Sequence, residues 1–157
     1  MKAISPVIAT VIIVAVTVAV AIAVALWMTG LVGGFTGTEN LQIVNAYAVA
    51  TSTPSSGWNV TLQVKNAGTT TATIDQVFIN GIPYTSVSVG TPATTVSVYI
   101  GNTAFSSISL SPGNNITITI FIPQGSGTAL SFSPGQQVEI KLHTASGKTY
   151  PVQVVLP

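Results

Sequence analysis

The sequence contains no cysteine and no arginine. Only seven of its 157 residues are formally charged: Lys2, Lys65, Lys141 and Lys148 against Glu39, Asp75 and Glu139. Without cysteine no disulfide can hold a domain together, and thiols say nothing about the redox compartment. Phosphate neutralisation needs clustered cations, so four dispersed lysines argue against a nucleic-acid partner. One histidine and three separated acids do not make a ligand set, and neither a metal nor a cofactor is expected. No Gly-Xaa-Ser-Xaa-Gly elbow, P-loop or dinucleotide fingerprint is present. General acid–base work would fall to Glu39, Asp75 and Glu139, each set among ordinary strand or linker residues. His143 shares the polar side of an alternating run with Glu139 and Lys141, opposite Ile140 and Leu142, and reads as a solvated strand histidine. The chain is therefore not expected to be an enzyme.

Charge is scarcest at the front. None occurs from Ala3 to Thr38, and Val7 to Leu26 is an almost unbroken run of Val, Ile and Ala. About 20 such residues cross ~30 Å of hydrocarbon as a helix. Continued to Gly34, the helix nears ~45 Å and overshoots a bilayer. A secretory signal has a shorter apolar core, roughly 7–15 residues, and a small-residue cleavage site behind it. This run ends instead in Leu26-Trp-Met-Thr-Gly-Leu31, so the helix is expected to stay on the mature chain. Ser5 is a favoured N-cap and Pro6 suits the first helical position, where its missing N–H is not needed.

Local preference within the run points the other way. Val14 to Ala25 alternates strictly between Val or Ile and Ala or Thr, which in water reads as a strand. Both alternating sets are apolar, however, and an unbroken stretch of about 20 residues far exceeds ordinary strand length. Wound as a helix it is apolar all round and must be buried all round. Ala15, Ala19 and Ala23 form an i, i+4 row of small residues that permits close helix–helix approach. Thr10 and Thr17 can bond back to the helix itself.

Lys2 followed by Ala3-Ile4-Ser5-Pro6-Val7-Ile8-Ala9-Thr10 and a Val/Ile/Ala helix resembles the N-terminus of archaeal type IV pilins of the adhesion-pilus branch. The match covers roughly the first ten residues. The resemblance implies a class III signal peptide cut by a prepilin peptidase between Lys2 and Ala3, so that the mature chain begins at Ala3 and keeps its helix. It also implies an assembly ATPase and platform as partners. The acidic residue that bacterial pilins carry near the start of this helix is missing, so no charge pairing with a neighbouring N-terminus carries over.

Gly30, Gly33, Gly34 and Gly37 fall within eight residues and are expected to end the helix and act as a hinge, or simply as a helix C-cap and turn. Beyond Glu39 the pattern is β almost throughout. Trp58–Lys65, Asn115–Ile122, Gln137–His143 and Thr149–Val154 alternate apolar and polar, the last two joined as a hairpin through Ala145-Ser-Gly147-Lys148. Less regular candidates are Leu41–Ala50, Ile74–Ile79, Pro83–Val89 and Thr94–Ile100. Ser109-Leu-Ser-Pro112-Gly113 recurs as Ser131-Phe-Ser-Pro134-Gly135, each Pro-Gly suiting the centre of a type II turn that feeds a strand. The expected fold class is α+β: one long N-terminal hydrophobic helix followed by an all-β, Ig-like antiparallel sandwich. The expected segments are a leader at 1–2, the helix at 3–34, a Gly-rich linker at 35–40 and the sandwich at 41–157.

Ser and Thr supply 37 residues, so the solvent face is hydroxylated in place of being charged. Low charge weakens colloidal repulsion and favours association, an advantage in a filament or under a sugar coat. Asn59-Val-Thr61 and Asn115-Ile-Thr117 are N-glycosylation sequons with Asn on the polar side of a strand, and Thr51–Ser56 and Thr69–Thr71 are dense in hydroxyls for O-linked sugar. These features together point to the major structural subunit of an extracellular archaeal adhesion pilus. The precursor would wait in the cytoplasmic membrane, and many copies would then form a helical homo-oligomer. The alternatives are an archaellum subunit, which shares the helix-plus-sandwich plan, and a membrane-anchored monomeric surface or binding protein. The last should show a polar or aromatic-lined pocket, for which Trp58, Tyr84 and Tyr99 are the candidates.

Overall fold

The structure is a computed structural model and describes residues 5–35, 37–53, 55–89, 94–126 and 130–157. The chain divides into two compact units, residues 1–37 and 38–157.

The first unit holds one helix, α1 (Pro6–Phe35). The Ser5 carbonyl accepts the N–H groups of Ile8 at 2.9 Å and Ala9 at 3.2 Å, and Pro6 follows in the position that needs no donor. The strand-like alternation of Val14–Ala25 lies wholly within this helix, which satisfies each backbone group inside the segment and needs no partner strand. Gly30, Gly33 and Gly34 also lie in helix, and the helix ends only after Phe35. The expected helix end therefore falls after these three positions. A glycine costs a helix about 1 kcal/mol, less than is needed to halt propagation from a long apolar segment. Gly37 alone of the four lies beyond the helix.

The second unit carries the strands. In chain order they are β1 (Leu41–Thr51), β2 (Gly57–Asn66), β3 (Ala72–Ile79), β4 (Ile82–Pro83), β5 (Ser88–Val89), β6 (Thr94–Thr95), β7 (Ser97–Ile100), β8 (Thr103–Ala104), β9 (Ile108–Leu110), β10 (Asn115–Pro123), β11 (Gly125–Ser126), β12 (Ser131–Phe132), β13 (Gln137–Thr144) and β14 (Thr149–Val155). One five-stranded sheet runs β1-β2-β10-β7-β8, and a second runs β14-β13-β3-β4 with β9 also on β3. Every pairing is antiparallel. The chain is thus α+β, a long apolar helix followed by antiparallel sheets. Val60, Leu62, Val64, Ile118 and Ile120 from the first sheet and Ile74, Val77, Ile79, Ile140 and Leu142 from the second share one fully buried core. Alternation put most of them there, because in a strand every second side chain faces the same way, while the step from Ile74 to Val77 crosses a bulge.

The two Ser-Pro-Gly copies make the same turn. Gly113 and Gly135 have φ of 81° and 78°, and Asn114 and Gln136 donate their N–H groups to Ser111 and Ser133 carbonyls, both at 3.2 Å, as in a type II turn. Each turn also closes on the end of a neighbouring strand. Gly113 donates to the Asn66 carbonyl at 2.8 Å, and Gly135 to that of Leu156 at 2.7 Å.

Two expected strands are broken. Pro83–Val89 divides around a 3₁₀ turn at Tyr84–Ser86, since Pro83 has no N–H for a ladder and Val87 donates back to Tyr84. Thr94–Ile100 divides at Val96, whose N–H goes to the Val87 carbonyl at 3.1 Å. Four short strands, β8, β9, β11 and β12, are too brief to show a period. The Asn80-Gly81 turn between β3 and β4, with φ of 48° and 82°, has the form of a type I′ hairpin, for which Asn-Gly is the strongest short-range signal.

One buried polar residue ties the sandwich ends together. Asn66 is fully buried; its Nδ2 donates to the carbonyls of Thr70 and Leu110, each at 2.8 Å, and its Oδ1 accepts from Gly68 at 2.9 Å. Asn66→Ala strands at least one buried partner and is expected to lower unfolding stability by about 2–3 kcal/mol, measured by urea denaturation. Gly113→Ala and Gly135→Ala should each cost about 1–2 kcal/mol in the same assay, because a Cβ is strained at positive φ.

Candidate functional site

The helix carries a long run of exposed apolar side chains. Its Val, Ile, Leu, Met and Trp side chains are 45–69% exposed from Val7 to Leu31. They occupy every side of the helix, so turning it over would hide no more of them. Nor does the helix ask for polar partners. Thr10 donates to Val7 and Thr17 to Val14, both at 2.9 Å, and Thr29 donates to Ala25 and Leu26 at 3.1 and 2.9 Å. Pro6–Leu31 is long and apolar enough to cross a membrane. Ala15, Ala19 and Ala23 lie on this exposed helix at i, i+4 spacing, so they share one side of it. A lattice of sibling helices or lipid tails meets the same requirement: apolar contact all round, without hydrogen-bond demand.

The processing residues Lys2 and Ala3 lie outside the described residues. Asn59 sits half-buried on the outer face of β2, and Asn115 is exposed at the start of β10.

Titratable groups gather on the outer face of the second sheet. His143 Nδ1 lies 2.7 Å from Asp75 Oδ1, and Lys141 Nζ lies 3.2 Å from Glu139 Oε2. A β-bulge makes the first pair. The register slips between His143 and Thr144, leaving Asp75 unpaired in β3, and the extra residue turns both Asp75 and Gln76 outward. His143 also meets Phe78 edge-on, with ring centroids 6.3 Å apart. It is therefore a partnered histidine, a detail that sequence parity did not reveal. Among the described residues no group of three or more His, Cys, Asp or Glu is placed to hold a metal, and no hydroxyl is hydrogen-bonded to His143.

The three aromatic pocket candidates part company. Trp58 is buried, its Nε1 donating to the Pro157 carbonyl at 2.7 Å. Tyr84 packs edge-on against Phe105 at 6.0 Å. Tyr99 borders a cleft of about 410 Å³ with Asn59, Thr119 and Phe121 on the outer face of the first sheet, and it shares a smaller one, of about 160 Å³, with Tyr84 and Phe105. Phe121 was missed as a site residue. Its signal is a break in pattern: in Ile116-Thr-Ile-Thr-Ile120-Phe-Ile122 an aromatic takes a position where Thr is due.

No protein-family model matches the sequence, and no curated protein matches it. Solved structures do. An apo PCuAC domain of PmoF2 aligns at 11% identity over 76% of this chain and 92% of that one, with a TM-score of 0.50. That likeness shows a shared fold. Two filaments also align. The Iho670 flagellar-like filament does so at 15% identity over 97% of this chain and 98% of that one, TM-score 0.45. The archaeal flagellum of Methanospirillum hungatei strain JF1 does so at 20% identity over 96% and 88%, TM-score 0.48.

The His143–Asp75 pair is about one-third exposed on both sides, where solvent screens such contacts to at most ~1 kcal/mol. His143→Gln and Asp75→Asn are each expected to shift unfolding stability by less than about 1 kcal/mol. Urea denaturation of the two variants checks this.

Proposed function

We propose that the chain is the structural subunit of an extracellular archaeal pilus and polymerises through α1. The observation that carries this reading is the helix without a polar side. Burying a Val or Ile against water is worth roughly 1.5–3 kcal/mol, so the fifteen large apolar side chains exposed on α1 argue against a free monomer in water. Lipid provides that shelter before assembly. Leaving lipid is close to neutral only where helix meets helix, and the Ala15, Ala19, Ala23 row supplies the close approach. The Lys2–Thr10 motif adds support, with cleavage after Lys2 by a prepilin peptidase and assembly by the ATPase and platform that the pilin resemblance implies. Adhesion follows from many weak contacts repeated along one fibre.

A second reading is a monomeric surface protein that keeps its helix in lipid. The cleft beside Tyr99 favours it, since an anchored binding module needs such a feature.

Sheared cell-surface material, viewed by negative-stain microscopy with N-terminal sequencing of the subunit, separates the two. Filaments whose subunit starts at Ala3 are expected, whereas a detergent-soluble monomer retaining Met1 would favour the anchor. Ala19→Asp puts a charge into the helix and should abolish filaments, at about 2.5–3.5 kcal/mol per buried charge. Ala19→Ser, small and uncharged, should leave them intact.

A further inference from the structure

We infer that the cleft on the outer face of the first sheet is a binding site for an uncharged saccharide. The inference goes beyond filament assembly and does not depend on it.

Strand register builds the site. Asn59, Phe121 and Ser97 are paired across β2, β10 and β7 in one row, and Thr61, Thr119 and Tyr99 form the next row. Neighbouring strands lie about 4.8 Å apart and successive same-face residues about 6.6 Å apart, so the two rows make a patch the size of one or two sugar rings. Thr53 from the β1–β2 connection and Thr94 and Thr95 of β6 complete the lining. At about 410 Å³ the cleft falls within the range of small-molecule sites, roughly 300–1,000 Å³.

The chemistry of the wall selects the ligand by elimination. Among the described residues no Asp, Glu, Lys, Arg or His lines the cleft. An ionic ligand would find no counter-charge there, and desolvating it would be unfavourable. A purely apolar ligand would cover the hydroxyls of Thr95, Ser97 and Thr119 and the amide of Asn59 without replacing their bonds to water. An extended peptide would look for a free strand edge, yet β10 is paired on both sides, with β2 and β7. A sugar ring fits both halves of the wall. Its C–H face suits the accessible ring of Tyr99, and its hydroxyls suit the Thr, Ser and Asn groups around it.

Phe121 supplies the second observation. It points away from the shared core, on the hydroxyl-bearing face of β10, yet is only 4% exposed. Tyr99 beside it is 39% exposed. A rigid buried ring next to an accessible amphipathic one is a prepared surface, because neither loses much conformational freedom on binding.

Asn59 is also the acceptor of the Asn59-Val-Thr61 sequon, so the sugar has two candidate sources with the same chemistry. It is either a glycan carried on Asn59 itself or a saccharide presented by another surface.

The test uses the full chain made in a host without N-glycosylation and held in a zwitterionic, sugar-free detergent. Saturation-transfer NMR with glucose, galactose, mannose and N-acetylglucosamine, each at about 10 mM, reads weak binding in the millimolar range. Transfer to the ring C–H protons of at least one sugar is expected, and Tyr99→Ser should weaken it about tenfold. Tyr99 is exposed enough for that variant to fold, and Thr119→Val, close in shape, is the second probe and should weaken binding several-fold. Mass spectrometry of the Asn59 peptide from native material then assigns the source. An unmodified Asn59 points to an outside saccharide. A glycan on Asn59 with NMR contacts to Tyr99 points to the chain's own sugar and supports the site even if free sugars do not bind. The inference is overturned if sugars bind but ignore both substitutions. It is equally overturned if no sugar binds and Asn59 is bare, if its glycan makes no contact with Tyr99, or if only uncharged peptides bind there.

Discussion

The constraint on which the rest depends is that α1 has no side it can leave in water. An amphipathic helix can settle on its own domain with its polar stripe outward. A helix apolar on every side has no such position, and one sandwich of 120 residues cannot wrap it. Lipid or other copies of the helix would each supply the cover that such a surface asks for. The threonines within it follow the same rule, each hydroxyl turned back onto the helix backbone, so that the apolar surroundings are asked for nothing polar.

The sandwich solves a different problem. With seven charged residues in the chain, it cannot rely on ion pairs for stability or on charge for solubility. Its cohesion comes from an aliphatic core of alternating strands and from a few fully satisfied polar links, of which Asn66 is the clearest. Its outer faces are hydroxyl-rich and nearly neutral. Such faces hydrate well enough to stay folded, yet repel a neighbouring copy only weakly, which suits packing side by side along a fibre. The edge strand β1 is long, and a bulge at Val44 disturbs it. A twisted, interrupted edge discourages open-ended strand addition.

What was legible in the sequence differs between these parts for a physical reason. The helix was readable because its signal is compositional and long, and neither its length nor its lack of charge depends on anything distant. The long strands β2, β10, β13 and β14 were readable because alternation is local. Their turns were too, where Pro-Gly or Gly marked a backbone that other residues adopt with strain. The short strands were not, since two residues carry no period. Gly30, Gly33 and Gly34 do not end the helix, because propensity is a per-residue cost, while helix continuation is cooperative along the whole segment.

The sequence by itself determined that the chain has an uncharged apolar helix and a remainder patterned for strands, with neither cysteine nor arginine. These are properties of composition and period, and no contact is needed to state them. Only the tertiary structure decided that Asp75 meets His143, that Trp58 is interior while Tyr99 is at a surface, and that Phe121, Asn59 and Tyr99 share a cleft. Each of these depends on register between strands far apart in the chain. A single bulge or a one-residue slip would have sent the same side chains to the opposite face.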